Sequence, residues 1–220
     1  RFVLAGTRRE AGIFGPWMAE YTLGWCLWVT QHMDGFRTSQ RQRRWAPVDP
    51  APLRGQTLCV VGLGDIGRTI AKSARALGMQ VIGVTRSGGA ARDVVRVYRT
   101  KALRAALARA DFVVLTLPLS EETRGLLGRA ELAAMKPTAW LLNLARGPIV
   151  DEAALLDALR GRRIGGAVLD VFNTAPLPAD HPLWTLPGVL ITPHTAGYGP
   201  YLDDRRFEIL LDNSRRFLAG

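Results

Sequence analysis

The sequence predicts a doubly wound α/β fold, with parallel strands alternating with helices around one sheet. Three observations predict it. Short apolar runs recur at 57–61, 81–84, 112–115, 139–143, 166–171 and 189–191. Helical periodicity fills the intervals between most of them. A glycine turn, Gly62-x-Gly64-x-x-Gly67, follows the first run and opens a helical stripe.

Each element has a local reason. Residues 2–5 read as a short strand. Residues 16–44 read as one long helix, with Met18, Leu23, Leu27 and Val29 apolar and Trp17, Tyr21, Trp25 and Trp28 adding aromatic surface. That aromatic load points to core or a protein interface. Ala46-Pro-Val-Asp-Pro-Ala-Pro is a stiff linker. After the glycine turn, Ile66, Ile70, Ala71, Ala74 and Leu77 share one helical stripe, and Gly78 stops it. Ser87-Gly-Gly-Ala is a loop. Residues 103–110 are helical, and the strand 112–115 runs out into Thr116-Leu117-Pro118-Leu119. Ser120-Glu-Glu-Thr123 reads as a helix start, and 131–135 as a short helix ended by Pro137. Asp151 is placed to cap a helix over 152–159, and 201–218 forms the last helix.

The glycines have separate tasks. Gly62 permits the tight turn, Gly64 lets backbone approach a pyrophosphate, and Gly67 lets helix and strand pack closely. The helix N-terminus offers N–H groups and a positive dipole end to the phosphates. The motif has its required context of strand, helix and strand, so it reads as a dinucleotide site. The end of the second strand indicates which dinucleotide. Thr85, Arg86 and Ser87 stand where a carboxylate would hold the ribose 2′-OH. An arginine and two hydroxyls suit a 2′-phosphate. NADP(H) is therefore favoured, with NAD(H) still compatible. The alternative for Arg86 is a solvated loop arginine in an arginine-rich chain.

Ligands in such sheets bind beyond the carboxyl ends of the strands. The residues there are Thr85-Arg86, Leu117-Pro118, Asn143-Leu-Ala-Arg146-Gly147, Asp170 and Thr192-Pro-His194. Reducing a ketone acid needs a cation for the carboxylate and carbonyl, and a proton donor that works near neutrality. Arg146 and His194 fit these two roles. Asp170 reads either as a strand-end hydrogen-bonder or as an acceptor for a nicotinamide carboxamide. His181, in Asp180-His-Pro, reads as a turn residue, and His32 as an interface or surface residue.

Composition excludes other classes. The 220 residues, 48% hydrophobic, can build one large domain or one domain plus part of another. No apolar run approaches the roughly 20 residues of a membrane span. With no signal peptide and no initiating Met, the N-terminus reads as processed or cut. Cys26 and Cys59 lie in apolar contexts and read as reduced core thiols of a cytoplasmic protein, with no disulfide or metal site. The net charge of +10 would attract nucleic acid, but the basic residues are scattered and no nucleic-acid motif accompanies them. The densest cluster, 37–44, is the wet end of a helix.

The chain resembles the D-isomer-specific 2-hydroxyacid dehydrogenase family. The resemblance is carried by Gly62-Leu-Gly-Asp-Ile-Gly67, Leu115-Thr-Leu-Pro-Leu-Ser-Glu-Glu-Thr-Arg-Gly125, Leu142-Asn-Leu-Ala-Arg-Gly-Pro-Ile-Val-Asp-Glu152, Ala167-Val-Leu-Asp-Val171, Pro176-Leu-Pro-Ala-Asp-His-Pro-Leu-Trp184 and Thr192-Pro-His-Thr-Ala-Gly197. Within the family, Thr85-Arg-Ser is most similar to the NADPH-dependent glyoxylate/hydroxypyruvate reductases. The resemblance implies a Rossmann-type NAD(P)-binding domain over 13–197 that contains a dimerisation helix at 16–44. Residues 1–12 would be the remnant of a substrate lobe, and 198–220 a helix returning toward it. It implies that Gly62, Gly64, Asp65, Ile66, Gly67, Thr85, Arg86, Ser87, Leu117 and Pro118 bind the coenzyme. Asp170 and the backbone near Leu144 and Gly197 would hold its nicotinamide. Arg146 would bind the substrate carboxylate and carbonyl, and His194 would be the acid/base, in a homodimer.

Two departures from the family pattern carry consequences. The family's Asp-Val-Phe-x-x-Glu-Pro-Leu segment supplies a Glu to the catalytic His. Here it reads Asp170-Val-Phe-Asn-Thr-Ala175-Pro-Leu. An adjacent carboxylate favours the imidazolium. Without it, less of His194 carries a proton at neutral pH, so slower reduction with an acid-shifted optimum is expected. The family also begins with roughly a hundred more residues, a separate substrate lobe. The expected activity is NADPH-preferring reduction of a small 2-keto acid such as glyoxylate or hydroxypyruvate. The alternative is a catalytically weak dinucleotide-binding sensor or interaction protein of the same fold.

Overall fold

Strand β1 (Thr57–Val61) lies at the centre, and its residues from Leu58 onward are buried on both faces of the sheet. Side chains alternate across a strand. Leu58 and Val60 therefore enter one core layer with Ile70, Ala71, Ala74 and Val114, while Cys59 and Val61 enter the other with Val113, Leu115, Leu107 and Leu155. Continuous apolar runs are what a parallel sheet covered on both faces requires. The structure, a computed structural model, describes residues 13–218. The expected strand at 2–5 and the proposed lobe remnant at 1–12 lie outside the described residues.

Around β1 stand β2 (Gln80–Thr85), β3 (Arg96–Arg99), β4 (Phe112–Leu115), β5 (Trp140–Asn143), β6 (Gly166–Leu169) and β7 (Val189–Ile191). All pairs are parallel and the order is β3-β2-β1-β4-β5-β6-β7. The order reverses between β1 and β4, so the switch point lies beside the glycine turn. The helices are α1 (Gly15–Thr30), α2 (Met33–Arg41), α3 (Asp65–Ala76), α4 (Leu103–Leu107), α5 (Arg129–Ala133), α6 (Glu152–Arg160) and α7 (Leu202–Leu218). Helix α1 packs on α3, whose buried stripe is Gly67, Ile70, Ala71 and Ala74. Helix α7 meets Phe14 and Trp17 through Leu202 and Ile209.

Two expectations need correction, and one strand is additional to them. The helix expected over 16–44 is two helices, broken at Gln31–His32, where His32 takes a left-handed φ of 54°. The cause is non-local. The proline linker folds back, and Ala51 N–H donates to the Thr30 carbonyl at 3.0 Å while Gln31 Nε2 donates to the Ala51 carbonyl at 3.3 Å. The helix expected to start at Ser120 is a turn instead. Thr123 Oγ1 donates to the Pro118 carbonyl at 2.8 Å and accepts from Ser120 N–H at 2.8 Å. Gly125 at φ +64° then turns the chain so that Leu127 N–H reaches the Ile149 carbonyl. Strand β3 carries little sequence signal, because only Val97 and Tyr98 of its four residues are apolar. It is the edge of the sheet, where short charged strands are usual, and Arg96 lies 4.8 Å from the Tyr98 ring centre.

Candidate active site

The glycine turn is built by close approach. Gly62 has φ +105°, and a Cβ there would lie 3.1 Å from the Thr116 carbonyl. Thr116 Oγ1 donates to the Gly62 carbonyl at 2.7 Å, pinning the turn to the end of β4. A Cβ on Gly67 would sit 1.9 Å from the Gly62 oxygen, so only glycine lets α3 start here. Gly64 differs. Nothing lies within 4 Å of where its Cβ would be, and no side chain caps the helix it opens. An open backbone face over a helix N-terminus at the switch point suits a pyrophosphate. Asp65 is exposed at this mouth, whereas Ile66 packs partly against the core.

At the end of β2, Thr85 Oγ1 accepts from Gly88 N–H at 2.9 Å and shapes the following loop. Arg86 and Ser87 are exposed beside it. Arg86 Nη1 reaches Glu122 Oε2 at 3.4 Å, an ion pair between the loops after β2 and β4. Leu117 and Pro118 line the β4 side, with Leu117 Cδ2 2.9 Å from the Cβ position of Gly62.

The end of β5 is organised by Asn143, which is buried. Its Nδ2 donates to the Arg146 carbonyl at 3.1 Å, and its Oδ1 accepts from Ala145 N–H at 3.1 Å. These bonds turn the Arg146 side chain outward, where Nη1 donates to the Ala145 carbonyl at 2.6 Å. Leu144 stays in the core beneath the turn. A Cβ on Gly147 would lie 2.1 Å from the Phe172 carbonyl carbon, so the loops after β5 and β6 are in direct contact. Asp151 caps α6, accepting from Ala154 N–H at 3.0 Å.

Asp170, just after β6, is buried and holds the loop after β7. Its Oδ1 accepts from Thr192 Oγ1 at 2.6 Å and Thr195 N–H at 2.8 Å, and its Oδ2 accepts from Ala196 N–H at 3.0 Å. Of the two roles the sequence left open, strand-end hydrogen bonding is present in the structure. His194 lies within this loop at φ +59°, with its side chain exposed. Gly197 follows it against α1, its Cβ position 3.2 Å from the Phe14 ring. Tyr21 of α1 also hydrogen-bonds the Thr192 hydroxyl. Sequence reasoning counted Tyr21 only as aromatic surface, and nothing local marks a partner 171 residues away.

Ala175 is exposed, in the loop between β6 and a 3₁₀ turn at Pro182–Trp184. His181 starts that turn. Its Nδ1 accepts from Leu183 N–H at 3.3 Å, which places the proton on Nε2, 3.3 Å from Glu152 Oε1. Burial pushes the Cys26 thiol up and the Cys59 thiol to about 12, so neither is a reactive thiolate at neutral pH. No described helix is long and apolar enough to cross a membrane.

Burial, with the nearby Asp170 charge adding to it, pushes Tyr21 up to about 12. A free phenol ionises near pH 10. In the unfolded chain Tyr21 therefore loses its proton first. The stability its neutral form contributes is complete below about pH 10 and is lost as pH rises toward about 12. In a tyrosine absorbance titration, one phenol of the native protein is expected to ionise only in that upper range. That late step should be missing in Tyr21→Phe.

Residues 23–196 match the family model described as D-isomer specific 2-hydroxyacid dehydrogenase, NAD binding domain. The (S)-sulfolactate dehydrogenase of Chromohalobacter salexigens is 46% identical over 170 residues, covering 76% of this chain and 54% of that protein. The glyoxylate/hydroxypyruvate reductase A of Serratia proteamaculans is 37% identical over 180 residues, covering 81% and 57%. Among solved structures, a D-isomer specific 2-hydroxyacid dehydrogenase from Xanthobacter autotrophicus, in complex with NADPH and MES, superposes with TM-score 0.86 at 38% identity, covering 94% of this chain and 85% of that one. The chain spans about half the length of these two curated relatives.

Proposed function

The chain belongs to the D-isomer-specific 2-hydroxyacid dehydrogenase family, and from that premise we propose that it is the coenzyme-binding part of an NADPH-preferring 2-oxoacid reductase. The substrate is a small 2-keto acid such as glyoxylate or hydroxypyruvate. The observation that carries the reading is the open Gly64 above an uncapped helix at the switch point, flanked by Arg86 with no carboxylate at the end of β2. The NADPH of the Xanthobacter relative and the reductase activity in the Serratia relative's name support it.

In this reading Gly62, Gly64, Asp65, Ile66 and Gly67 receive the pyrophosphate, with backbone N–H groups of the helix start as donors. Thr85, Arg86 and Ser87 take the 2′-phosphate, while Leu117 and Pro118 flank the adenosine. Leu144, Asp170 and Gly197 face the nicotinamide end. The reduced coenzyme, when bound, supplies a hydride to the ketone carbon. Arg146 holds the substrate carboxylate and draws charge toward the carbonyl oxygen, and His194 gives that oxygen its proton. The aromatic face of α1 and α2 serves a homodimer interface. Two buried free thiols suit a cytoplasmic setting.

Arg86→Gln tests the coenzyme assignment. A charged hydrogen bond to phosphate contributes about 1.5–3 kcal/mol, so the NADPH Kd should rise roughly tenfold or more. The NADH Kd should stay within about twofold, because NADH lacks the phosphate. Equal effects on both coenzymes, read by fluorescence titration, would remove Arg86 from the 2′-phosphate site. Ala175 favours the second reading, a catalytically weak dinucleotide-binding sensor. The presence of both Arg146 and His194 weighs toward the enzyme, since a sensor needs neither.

A further inference from the structure

We infer that Tyr21 is a positioning residue for His194, acting from α1 through Thr192 and Asp170. The inference rests on the reading of His194 as proton donor. The direction of the hydrogen-bond chain follows from chemistry. A carboxylate can only accept, so Thr192 gives its one hydroxyl proton to Asp170 Oδ1, at 2.6 Å. The Thr192 oxygen must then accept from the Tyr21 hydroxyl, which donates. The Tyr21 ring is itself held edge-on to Trp25, with centroids 6.0 Å apart.

The chain ends at the residue that shapes the His194 turn. A left-handed conformation costs a non-glycine residue roughly 1–2 kcal/mol. His194 adopts it at φ +59°, and the turn aims two successive N–H groups, Thr195 at 2.8 Å and Ala196 at 3.0 Å, at the one Asp170 carboxylate. Consecutive N–H groups converging on an anion form a stable concavity. His194 thus sits between Thr192 and Thr195, both tied to Asp170. Its own imidazole has no hydrogen-bond partner among the described residues, and Ala175 supplies no carboxylate. The aim of the ring is therefore set by the backbone turn. Tyr21 tethers that turn to the helix packed on α3.

The test uses the full-length protein with Tyr21→Phe, Thr192→Val and Thr192→Ser. Amide hydrogen exchange without coenzyme reads the turn directly. Tyr21→Phe should accelerate exchange at Thr195 and Ala196 about three- to tenfold, the equivalent of one hydrogen bond. Thr192→Val should do at least as much, and Thr192→Ser, which keeps the hydroxyl, should stay near native. With NADPH and hydroxypyruvate, Tyr21→Phe should lower kcat by a similar factor and leave the NADPH KM within about twofold. Unchanged exchange at Thr195 and Ala196 would overturn the inference. Acceleration spread equally over β1 and β4 would also overturn it, since Tyr21 would then be a general packing residue. Absence of turnover in the native protein would count against the reductase reading alone, because exchange still decides the turn.

Discussion

His194→Asn is expected to lower kcat for 2-keto acid reduction by about 10²–10⁴-fold, the usual contribution of a positioned general acid. Asparagine is the informative replacement because it tolerates the left-handed region. The turn at φ +59° and the Thr195 and Ala196 bonds to Asp170 can therefore survive the change. What is removed is the imidazole, the proposed proton donor. Coenzyme Kd should stay within about twofold, since the glycine turn is untouched. Turnover assays and a fluorescence titration of the same preparation separate the two quantities. A kcat loss under about tenfold would remove His194 from the proton-donor role.

Gly67→Ala should damage both stability and coenzyme binding. The new Cβ would meet the Gly62 oxygen at 1.9 Å, and a backbone atom cannot escape by changing rotamer. Helix α3 must move off β1, a strain of about 1–3 kcal/mol or more, which lowers Tm by roughly 2–12 °C in a chain of this size. The displaced helix start should weaken NADPH binding by at least about a hundredfold. Gly64→Ala is the matched control. Gly64 has an ordinary φ of −73° and nothing within 4 Å of its Cβ position. Its Tm should stay within about 2 °C of native. Its NADPH affinity should still fall, because the methyl occupies the approach to the pyrophosphate. If Gly64→Ala binds NADPH normally, the phosphates do not lie over this turn.

What could be read in advance follows a physical division. The strand at 57–61 and the glycine turn were legible because periodicity and glycine placement are local signals. So were the Asp151 cap and the apolar run of β7. The end of α1 was not legible, because Ala51, in a linker well downstream, takes the Thr30 carbonyl. The turn at Ser120–Thr123 depends on the pairing of Leu127 with the chain near Ile149, which no window of sequence contains. Strand β3 lacks the apolar run that marks its neighbours because it is an edge. At the site, Arg146 and His194 were visible as polar residues just after strands. The Asn143 bonds that shape the Arg146 turn, and the link from Tyr21 to Asp170, are tertiary contacts and appear only in the fold.

The most direct test of the proposed function is NADPH-dependent reduction of glyoxylate and hydroxypyruvate by the full-length protein. Native and Ala175→Glu forms should be compared from about pH 5 to about pH 9. The native form should turn over with both substrates. In the proposed reading a carboxylate at 175 neighbours His194 and orients its ring, so the variant should gain about threefold or more in kcat. If neither form turns over while NADPH still binds, the reductase account is contradicted and the dinucleotide-binding sensor takes its place.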